Sequence, residues 1–443
     1  MSSKSTHSPS ALQKVAVIGS GVAGLSAAFA LQGKADVTIF EAGSYFGGHA
    51  NTVDVHIDDK TFGVDTGFLV YNEKTYPGLI ALFDKLNVAV APSDMGFSVQ
   101  VVGATGSKEW AGNSLSSVFA QKRSLFSLRH WGMLLDIVRF NRLATTLVTT
   151  GTSAQVTAQT VGGFLNQHSF GSAFIDDYFL PMIACIWSCP VDQMKAYPIT
   201  ALLQFCHNHG LLQITGRPQW FTVVGGSRNY VSRMLAATAD KRLNSKVHRI
   251  ERQGDGVNVF IASQEVGAPD QAERFDAVIL ACHPDQSLQI LGDAASEQEK
   301  GVLGAIRYQA NQAVLHTDTA VMPHNPKVWA AWNYERQAKQ PNQSADQHQV
   351  CLHYWLNKLQ PLPTETPIFV SLNPIRHPDA SKVLARIHYD HPLFDTAALK
   401  AQKELGELQG QNRTWFAGAW CRYGFHEDGF QAGLAAAQGV LSR

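Results

Sequence analysis

The stretch Lys14–Ala42, KVAVIGSGVAGLSAAFALQGKADVTIFEA, decides the fold of this chain. Val15–Ile18 is an apolar run typical of a short buried parallel strand, and the glycines that follow it have the spacing G-x-G-x-x-G. A small-residue helix over Leu25–Leu31 comes next, and a second strand, Val37–Phe40, ends at Glu41. This order predicts a βαβ unit whose glycine-rich turn binds a dinucleotide.

Each residue of the turn has a separate expected role. Gly19 permits a tight turn, Gly21 lets the backbone approach a pyrophosphate, and Gly24 lets the helix pack closely on the strand. Val22 and Ala23, at the start of the helix, offer unpaired N–H groups and the positive end of the helix dipole to the phosphates.

The end of the second strand predicts the contact with the ribose. A carboxylate at Glu41, roughly 20 residues after the turn, can accept both ribose hydroxyls of an adenosine, and Ala42 follows it. Strand, turn, helix and acid occur in the order that dinucleotide binding requires. The alternative interpretation is a glycine-rich turn in an ordinary α/β unit.

Composition indicates a globular protein with two or three domains. The chain has 443 residues, of which 45% are hydrophobic and 16% charged, so a large core is expected and disorder is not. The formal net charge of +0 argues against nucleic acid as a partner. The 6 cysteines are scattered, which is unlike a disulfide framework and fits a reducing compartment.

The chain carries no sequence signal for secretion or for a membrane span. Residues 1–10 are rich in serine and lack an apolar h-region. No apolar run approaches about 18 uninterrupted residues. We therefore expect a cytoplasmic location, with peripheral membrane contact as a further option.

The segment after Glu41 adds a second set of motifs. AGSYFGGHANTV follows that acid, and FGVDTGFLVYN then predicts a short strand and a turn. At this point the sequence resembles the flavin amine oxidase and phytoene desaturase superfamily, in which FAD occupies a glutathione-reductase-like domain. Its members have a pattern like Arg-x-Gly-Gly-Arg and then a strand that ends in Asp-x-Gly near the flavin. The matching residues are Gly47, Gly48, Asp65 and Gly67.

The chain departs from the superfamily pattern at both arginines. Tyr45 and His49 stand in their places, so backbone N–H groups and a neutral His49 are expected to replace two cationic contacts. The departure indicates a divergent subgroup with GGH in place of GGR. It argues against carrying over the amine-oxidase substrate.

Later segments continue the resemblance. The superfamily places a strand against the adenine, here around Val247, then a buried strand that ends at Ala281. Near the C-terminus, a strand ends at Gly418, where Ala419 replaces an acid, and a helix that starts near Gly429 faces the flavin. The FAD contacts implied by the resemblance, beyond the glycine turn, Glu41 and Ala42, are Gly48, His49, Thr66, Gly67, Phe68, Val247, Ala281, Gly418, Ala419, Gly429 and Phe430.

The resemblance predicts an α/β protein of two interleaved domains. A glutathione-reductase-like FAD-binding Rossmann domain comprises 13–92, 218–284 and 405–443, after a disordered tail over 1–12. A discontinuous α+β substrate domain, an antiparallel sheet plus helices, comprises 93–217 and 285–404. A second G-x-G-x-x-G unit is missing, so we expect no built-in NAD(P)H domain.

The substrate region offers aromatic candidates and no metal motif. The segments NQAVLHTD, VWAAWNY, QVCLHYWLNKLQ and PIFVSLNP predict neighbouring antiparallel strands of one sheet. Its candidate substrate-binding residues are Trp187, Trp332, Tyr334 and Asn357. The candidate catalytic residues are Tyr354, in this region, and His426, just before the flavin-facing helix. Packing in the core is the alternative for each aromatic. The cysteine and histidine groups lack the paired spacing of a zinc site, so we predict no metal.

The region 114–150 predicts a long helix in which cations outnumber acids. Asp136 is its only acid, and its cations are Lys122, Arg123, Arg129, Arg139 and Arg142. One interpretation is a largely buried helix of the second domain. The other is an interfacial helix, over 120–145, that touches anionic lipid and admits a lipid substrate.

These observations predict an FAD-dependent oxidoreductase that removes hydride from an apolar substrate, an acyl lipid or an isoprenoid. Oxygen, a quinone or another acceptor would reoxidise the flavin. The alternatives are a flavin amine oxidase, a non-redox flavin-dependent fatty-acid double-bond isomerase, and a flavin-binding protein without turnover.

Overall fold

A computed structural model describes residues 12–103, 106–151, 156, 159–213, 216–262, 270–338 and 350–443. The predicted tail over 1–12 lies outside this part of the chain, apart from Leu12. No helix of the described residues is both long enough and apolar enough to cross a membrane.

The helices follow one another along the chain and are numbered in that order. The α-helices are α1 (Val22–Leu31), α2 (Pro77–Leu86), α3 (Leu115–Val118), α4 (Leu128–Thr150), α5 (Val161–Gln167), α6 (Ser172–Phe174), α7 (Leu180–Trp187), α8 (Val191–Ala196), α9 (Ile199–Asn208), α10 (Arg228–Leu235), α11 (Pro284–Leu291), α12 (Glu297–Gly304), α13 (Leu356–Leu359), α14 (Thr396–Leu408) and α15 (His426–Leu441). A π-helical turn covers Ile175–Phe179, and 3-10 turns cover Lys122–Phe126, Gly292–Ala294, Thr319–Val321, Pro326–Val328, Ala380–Lys382, Gln411–Arg413 and Ala419–Cys421.

The strands are numbered in the same way. They are β1 (Lys14–Ile18), β2 (Asp36–Phe40), β3 (Thr52–Ile57), β4 (Lys60–Asp65), β5 (Tyr71–Asn72), β6 (Val90–Ser93), β7 (Phe97–Gly103), β8 (Gly106–Ala111), β9 (Trp220–Val223), β10 (Asp240–Arg242), β11 (Val247–Gln253), β12 (Gly256–Ile261), β13 (Gln271–Phe275), β14 (Ala277–Leu280), β15 (Tyr308–His316), β16 (Trp332–Gln337), β17 (Cys351–Trp355), β18 (Phe369–Leu372), β19 (Val383–Pro392) and β20 (Thr414–Phe416).

The chain forms two compact units. The first comprises the described parts of 1–50, 230–306 and 400–443, and the second those of 51–229 and 307–399. Segments 51–92 and 218–229, which the sequence analysis assigned to the FAD-binding domain, belong to the second unit.

The first unit is built on a five-stranded parallel sheet with the order β10-β2-β1-β14-β20. Its central strand, β1, is apolar from Val15 to Ile18, and these side chains are at most 5% exposed. A parallel strand covered on both faces is expected to read as such an uninterrupted apolar run. The predicted βαβ unit, β1-α1-β2, is confirmed, and so is the α/β fold class.

Helices α1 and α15 of this unit pack closely through small residues. A Cβ atom at Gly433 would lie 2.0 Å from the Ala23 carbonyl oxygen, so only glycine fits there. The Ser26 hydroxyl donates to the Phe430 carbonyl oxygen at 2.9 Å and ties the two helices together. The C-terminal small-residue helix is therefore part of the nucleotide-binding half.

The second unit is built on a seven-stranded sheet with the order β19-β15-β18-β17-β16-β7-β8. All neighbouring pairs are antiparallel except β16 and β7, which are parallel. The four strand segments predicted between residues 311 and 374 do form neighbours in one sheet, as β15, β16, β17 and β18. Strands β7, β8 and β19 are absent from the sequence-based prediction. The β7-β8 hairpin joins the sheet through β16, and β19 joins it through β15, and both of these partners are distant in the chain.

Helices of the second unit enclose an aromatic core. Phe140 of α4 lies with its ring centroid 4.4 Å from that of Phe179 and 5.6 Å from that of Phe174. Phe164 and Phe170 also contact Phe140. The inner side of α4 is thereby held by ring packing, which leaves its other side to solvent.

Candidate flavin site and active site

The glycine turn between β1 and α1 has the geometry of a phosphate-binding loop. A Cβ at Gly24 would lie 1.9 Å from the Gly19 carbonyl oxygen, and one at Gly19 would lie 2.6 Å from the Ala281 carbonyl oxygen. These two glycines are therefore required by the protein's own packing. A Cβ at Gly21 would meet no described atom within 4 Å, so the space beside Gly21 is open. An open approach to the second glycine is the feature that a bound pyrophosphate needs.

The first turn of α1 faces the same loop. Gly21 is the N-cap residue and provides no side-chain hydrogen bond to the helix. The N–H groups of the first turn, which includes Val22 and Ala23, lie at the positive end of the helix dipole and can bind phosphate oxygens.

The turn at Gly47 and Gly48 lies against this loop. The Gly47 N–H donates to the Ser20 carbonyl oxygen at 3.1 Å, and a Cβ at Gly48 would lie 3.1 Å from the Gly21 Cα. Tyr45, at the first arginine position of the superfamily, donates its hydroxyl to the Gly48 carbonyl oxygen at 3.2 Å. His49, at the second, is half-buried. The Gly47–Gly48 turn thus contacts the loop at Ser20 and Gly21, and neutral side chains occupy both arginine positions.

The Glu41 carboxylate is held in place at the end of β2. It accepts hydrogen bonds from the Ser20 N–H at 3.0 Å, the Ser20 hydroxyl at 2.6 Å and the Gly43 N–H at 2.7 Å. An ionised carboxylate has about four acceptor positions, so capacity remains for a ribose hydroxyl. Ala42, which follows, is exposed.

The remaining predicted FAD contacts of the first unit lie at strand ends or helix starts. Val247 begins β11 and is 5% exposed, whereas Ala281 follows β14 directly. Gly418 follows β20 by two residues, and Ala419 begins a 3-10 turn. Gly429 and Phe430 lie in the first turns of α15.

The start of α15 combines a helix dipole with a buried acid. The Asp428 carboxylate accepts a hydrogen bond from the Phe425 N–H at 3.0 Å, and burial raises the pKa of Asp428 to about 6. A Cβ at Gly429 would lie 2.7 Å from a Val22 methyl group, so glycine brings the starts of α1 and α15 together. Such a helix start favours negative charge on a ligand that faces it.

These features fit FAD. The open side of Gly21, the helix start at Val22 and the fixed carboxylate of Glu41 match the pyrophosphate and ribose of a dinucleotide in chemistry and order. The residues of the first unit would hold the nucleotide half, and the start of α15 would support charge on the flavin ring. The individual contacts remain predictions.

In the second unit, Asp65 joins the β3-β4 hairpin to the turn before α10. Its buried carboxylate accepts hydrogen bonds from the Thr52 hydroxyl at 2.6 Å and the Ser227 hydroxyl at 2.7 Å. It also accepts from the Ser227 N–H at 2.9 Å, while burial raises the pKa of Asp65 to about 6. This bonding shows a structural role for the acid of the Asp-x-Gly motif.

The residues after Asp65 are ordered by side-chain bonds. The Thr66 hydroxyl lies 2.8 Å from the Tyr389 hydroxyl, and it donates to the Asn51 carbonyl oxygen at 3.2 Å. Gly67 is half-buried and Phe68 is buried. Their predicted contacts with the flavin stay predictions.

His426, the first residue of α15, is a hydrogen-bond partner of Tyr230. Its Nε2 atom contacts the hydroxyl of the buried Tyr230. Burial lowers the pKa of His426 to about 3, so the imidazole is neutral at pH 7. A neutral, hydrogen-bonded imidazole is suited to positioning and poorly suited to proton donation.

Three of the candidate substrate-region aromatics share one face of the seven-stranded sheet. Trp332 pairs with Tyr354 in the β16-β17 register, their ring centroids are 4.9 Å apart, and Tyr334 pairs with Leu352. Burial is the main cause that raises the pKa of Tyr354 far above its ordinary value. The Tyr354 hydroxyl therefore stays protonated at any ordinary pH and can orient a ligand only as a neutral group.

The register extends this face into an apolar surface. Phe97 and Val99 of β7 lie beside Trp332 and Tyr334, and Val370 and Leu372 of β18 lie beside Tyr354 and Leu352. Because strand side chains alternate between faces, these eight residues of four strands point to the same side.

Trp187 and Asn357 have other surroundings. Trp187 is 6% exposed and packs against Tyr197 and Phe205, with ring centroids 5.3 and 4.6 Å away. The Asn357 amide donates to the Thr364 and Thr366 carbonyl oxygens, and its Oδ1 accepts from the Ile368 N–H. Trp187 thus lies in an aromatic core and Asn357 fastens a loop, so neither is among the residues of the apolar face.

The opposite face of the same sheet carries a buried ionic network that the sequence analysis missed. His353 Nε2 lies 3.0 Å from the Glu335 carboxylate, whose oxygens also accept from Arg376 at 2.8 and 3.0 Å. Burial alone would lower the pKa of His353, but the neighbouring Cys351 sulphur and the Glu335 carboxylate raise it to about 9.

The same network contains three metal-ligand types. Donor atoms of Glu335, Cys351 and His353 all lie within 4.8 Å of one another. The guanidinium of Arg376 already neutralises the carboxylate, which disfavours a second cation there. The cluster is better described as a hydrogen-bonded ion pair between strands.

The fold is similar to those of several solved flavoenzymes. One is a fatty acid isomerase from P. acnes that produces CLA (14% identity, TM-score 0.66, 96% of this chain and 98% of that one). Another is cyclohexylamine oxidase from Brevibacterium oxydans (16%, 0.65, 97% and 99%). A third is described as a putative protoporphyrinogen oxidase from Exiguobacterium (13%, 0.63, 97% and 99%). At these identities the likeness establishes the fold.

The family follows from a match over most of the chain. Residues 22–357 match the family model described as flavin-containing amine oxidoreductase. No curated protein matches the sequence significantly. The family's flavin agrees with the geometry of the glycine turn, and the predicted cofactor, FAD, is confirmed. The chain therefore belongs to the flavin-containing amine oxidoreductase family and is an FAD-dependent oxidoreductase.

Proposed function

We propose that this oxidoreductase removes hydride from an apolar substrate, either an acyl lipid or an isoprenoid, and that oxygen, a quinone or another acceptor then takes the electrons. One observation carries the proposal. The sheet face with Trp332, Tyr334 and Tyr354 is apolar or aromatic over four strands, whereas Glu335 and His353 point to the opposite face.

This division of the sheet suits an apolar ligand better than a charged one. A binding site for a charged group needs a buried counter-charge or a set of hydrogen bonds. The eight residues of this face, from Phe97 and Val99 to Val370 and Leu372, include no charged side chain. The next residue on the same side of β16, Arg336, is paired with Asp177. Its polar groups are the hydroxyls of Tyr334 and Tyr354 and the indole N–H of Trp332, which is buried and has no hydrogen-bond acceptor among the described residues.

The chain's residues would contribute binding and orientation. Bound FAD supplies the hydride acceptor. The rings of Trp332 and Tyr354 meet nearly edge to face, at 76°, and would hold a flat unsaturated or extended chain by apolar contact. We propose His426 as a positioning residue, because its imidazole is neutral and bonded to Tyr230.

We also infer that such a substrate is taken from a membrane surface by peripheral contact. An acyl lipid or isoprenoid is concentrated in bilayers and scarce in water. The described residues contain no membrane-crossing helix, so contact at the surface is the form of access that we propose.

An isomerase is the second candidate. The same apolar face would serve a fatty-acid double-bond isomerase, and a fatty acid isomerase has a similar fold. The two candidates differ in electron balance, since an isomerase returns its hydride and consumes no acceptor.

The test is anaerobic incubation of the purified holoenzyme with two separate panels, one of acyl lipids and isoprenoids and one of amines. The proposal predicts that the flavin absorbance near 450 nm is bleached by a member of the apolar panel. Bleaching by amines alone would overturn it in favour of an amine oxidase. No bleaching, together with a shifted double bond in a lipid, would favour the isomerase.

A further inference from the structure

We propose that residues 115–135 form a docking surface for bilayers that contain anionic phospholipid, with a cationic cleft beside it that takes a lipid phosphate. The inference rests on the proposed function in one respect, because it names the source of the apolar substrate. Its evidence lies in exposure, charge and the position of the cleft.

The first observation is a cluster of protruding apolar side chains. The four most exposed large apolar side chains of the described residues are Leu128 (90%), Phe126 (89%), Leu115 (80%) and Leu135 (69%). All four lie within one short segment, although single exposed apolar residues are normally scattered over a surface. Such a concentration marks an interaction surface.

Helix α4 turns an apolar stripe outward. Leu128, Trp131 and Leu135 are exposed along its first two turns, while Met133 and Phe140 are buried. The exposed residues are spaced by three and four, so they lie on one side of the helix. An outward apolar stripe is the arrangement of a helix that rests in a membrane interface.

The preceding 3-10 turn, Lys122–Phe126, is fastened to this stripe. The Trp131 indole N–H donates to the Leu125 carbonyl oxygen at 2.9 Å, and the Ser127 hydroxyl caps α4 by accepting from the His130 N–H. The turn is thereby fixed while Phe126 projects into solvent. A fixed apolar projection loses little conformational freedom when it enters lipid.

The second observation is the charge around the apolar residues. Lys122, Arg123 and Arg129 are exposed beside them. Asp136 is the only acid between residues 112 and 142, and Arg139 pairs with it at 3.0 Å. Cations around an apolar patch complement a bilayer whose headgroups are anionic.

The third observation is a cleft of about 660 Å³ that borders the patch. Phe126 forms part of its wall, and its charged lining residues are Lys108, Arg123, Arg129, Asp176, Asp177 and Arg336. Burial lowers the pKa of His130, which also lines the cleft and stays neutral. Cations therefore outnumber acids in the lining.

Asp177 does not balance these cations. Lys108 and Arg336 each approach its carboxylate to 2.7 Å and Arg129 to 3.3 Å, so three cations share one acid. The Nε atom of Arg336 is buried and has no hydrogen-bond acceptor among the described residues. An anionic oxygen in the cleft would balance the excess positive charge and could accept a hydrogen bond from the Arg336 Nε–H.

Two cations of the cleft lie on the same side of the sheet as the apolar face. Arg336 follows Tyr334 by two residues on β16, and Lys108 pairs with Val101 on the neighbouring strands β8 and β7. Residues two apart on a strand lie on the same face, about 7 Å from each other. A lipid held by its phosphate at Arg336 would have its chain next to that face.

The test is co-sedimentation of the full-length holoenzyme with vesicles of phosphatidylcholine alone or of phosphatidylcholine with an equal part of phosphatidylglycerol. We expect at least tenfold stronger binding to the anionic vesicles. We expect the preference to weaken with salt, since the exposed cations are screened. Equal binding to both vesicles, or none to either, would overturn the proposal.

Variants separate the two contributions. F126S/L128S should reduce binding to anionic vesicles at least tenfold, and R123Q/R129Q should remove most of the preference for them. Controls are L384S, at another exposed leucine, and K403Q, at another exposed lysine; both should bind like the parent protein. Unchanged binding by the first two variants would overturn the assignment to this surface.

A second copy of the chain is the competing occupant of the patch. Light scattering of F126S/L128S distinguishes it, since loss of a dimer with vesicle binding unchanged would identify a self-association surface and overturn the proposal. Flavin bleaching by detergent-dispersed substrate is measured in parallel. Vesicle binding without bleaching would leave the docking surface standing and count against the proposed reaction.

Discussion

The two units of this protein differ in how closely structure follows local sequence. In the first, the glycine turn and the carboxylate that it requires lie within 30 consecutive residues, from Lys14 to Gly43. In the second, the two faces of the sheet arise from pairings such as β7 with β16, which are more than 200 residues apart. The dinucleotide-binding turn is therefore determined by residues that are close together in the sequence, whereas the apolar face depends on how distant strands pair.

The largest effect is expected at the glycine turn. Gly24→Ala places a Cβ 1.9 Å from a backbone oxygen, so the β1-α1 turn cannot close and we expect the folded holoprotein to be lost. Gly21→Ala meets no described atom and should keep the apoprotein's melting temperature while FAD affinity falls by about tenfold or more. Thermal unfolding and FAD titration measure the two effects.

A matched control is Gly301→Ala, at an open position of α12. It should bind FAD like the parent protein. Full FAD affinity in Gly21→Ala would show that no pyrophosphate approaches this glycine.

The next largest effect concerns the buried face of the substrate sheet. Glu335→Gln leaves Arg376 and His353 without their buried counter-charge, and we expect a loss of about 3–5 kcal/mol in the free energy of unfolding. Urea unfolding measures it. Glu297→Gln, at an exposed carboxylate, should leave the unfolding midpoint unchanged. A Glu335→Gln protein as stable as the parent would contradict the proposed strength of the network.

A smaller effect is expected on the apolar face. Trp332→Ala removes about 1.5–3 kcal/mol of apolar contact, so KM for an apolar substrate should rise by roughly ten- to hundredfold with FAD content unchanged. Steady-state kinetics and the flavin-to-protein absorbance ratio measure the two quantities. Trp187→Phe is the comparison, because Trp187 packs against Tyr197 and Phe205 and this variant keeps an aromatic ring there. An unchanged KM in Trp332→Ala would show that Trp332 does not contact the substrate.

The ion pair of His353 should make stability depend on pH. The folded pKa of about 9 lies above the ordinary value of 6.5, so its stabilisation is complete below pH 6.5 and is lost as pH rises through 9. Unfolding free energies between pH 6 and 9.5 should fall in the parent protein and fall less in Glu335→Gln. Parallel curves for the two proteins would show that the ion pair of His353 does not cause the pH dependence of stability.

The smallest effect is expected at His426. Its pKa of about 3 means that it does not titrate near neutral pH, so His426→Gln should leave the shape of the pH–rate profile between pH 5 and 8 unchanged. Glutamine can still bond the Tyr230 hydroxyl, whereas His426→Leu cannot, and the latter should lose more activity. Loss of an ionisation from the profile of His426→Gln would show a proton-transfer role.

The sequence alone predicted the βαβ unit and the four strand segments, because both rest on short-range patterns, and the resemblance to the flavin amine oxidase superfamily supplied FAD. It did not identify the ion pair of Glu335 and His353, whose 18-residue separation has meaning only once β16 and β17 are in register. It also could not decide which side of α4 faces solvent. Leu128 and Phe140 are both apolar, and only the ring packing around Phe140 shows that Phe140 is buried while Leu128 is exposed.

We propose above all that the apolar sheet face receives a chain from which hydride is removed. The most direct measurement is the mass of acyl lipids after incubation of the holoenzyme with extracted lipid and an electron acceptor. We expect a product lighter than its precursor by two hydrogen atoms, formed with equal consumption of acceptor. A product of unchanged mass with a moved double bond, or reaction of amines alone, would contradict it.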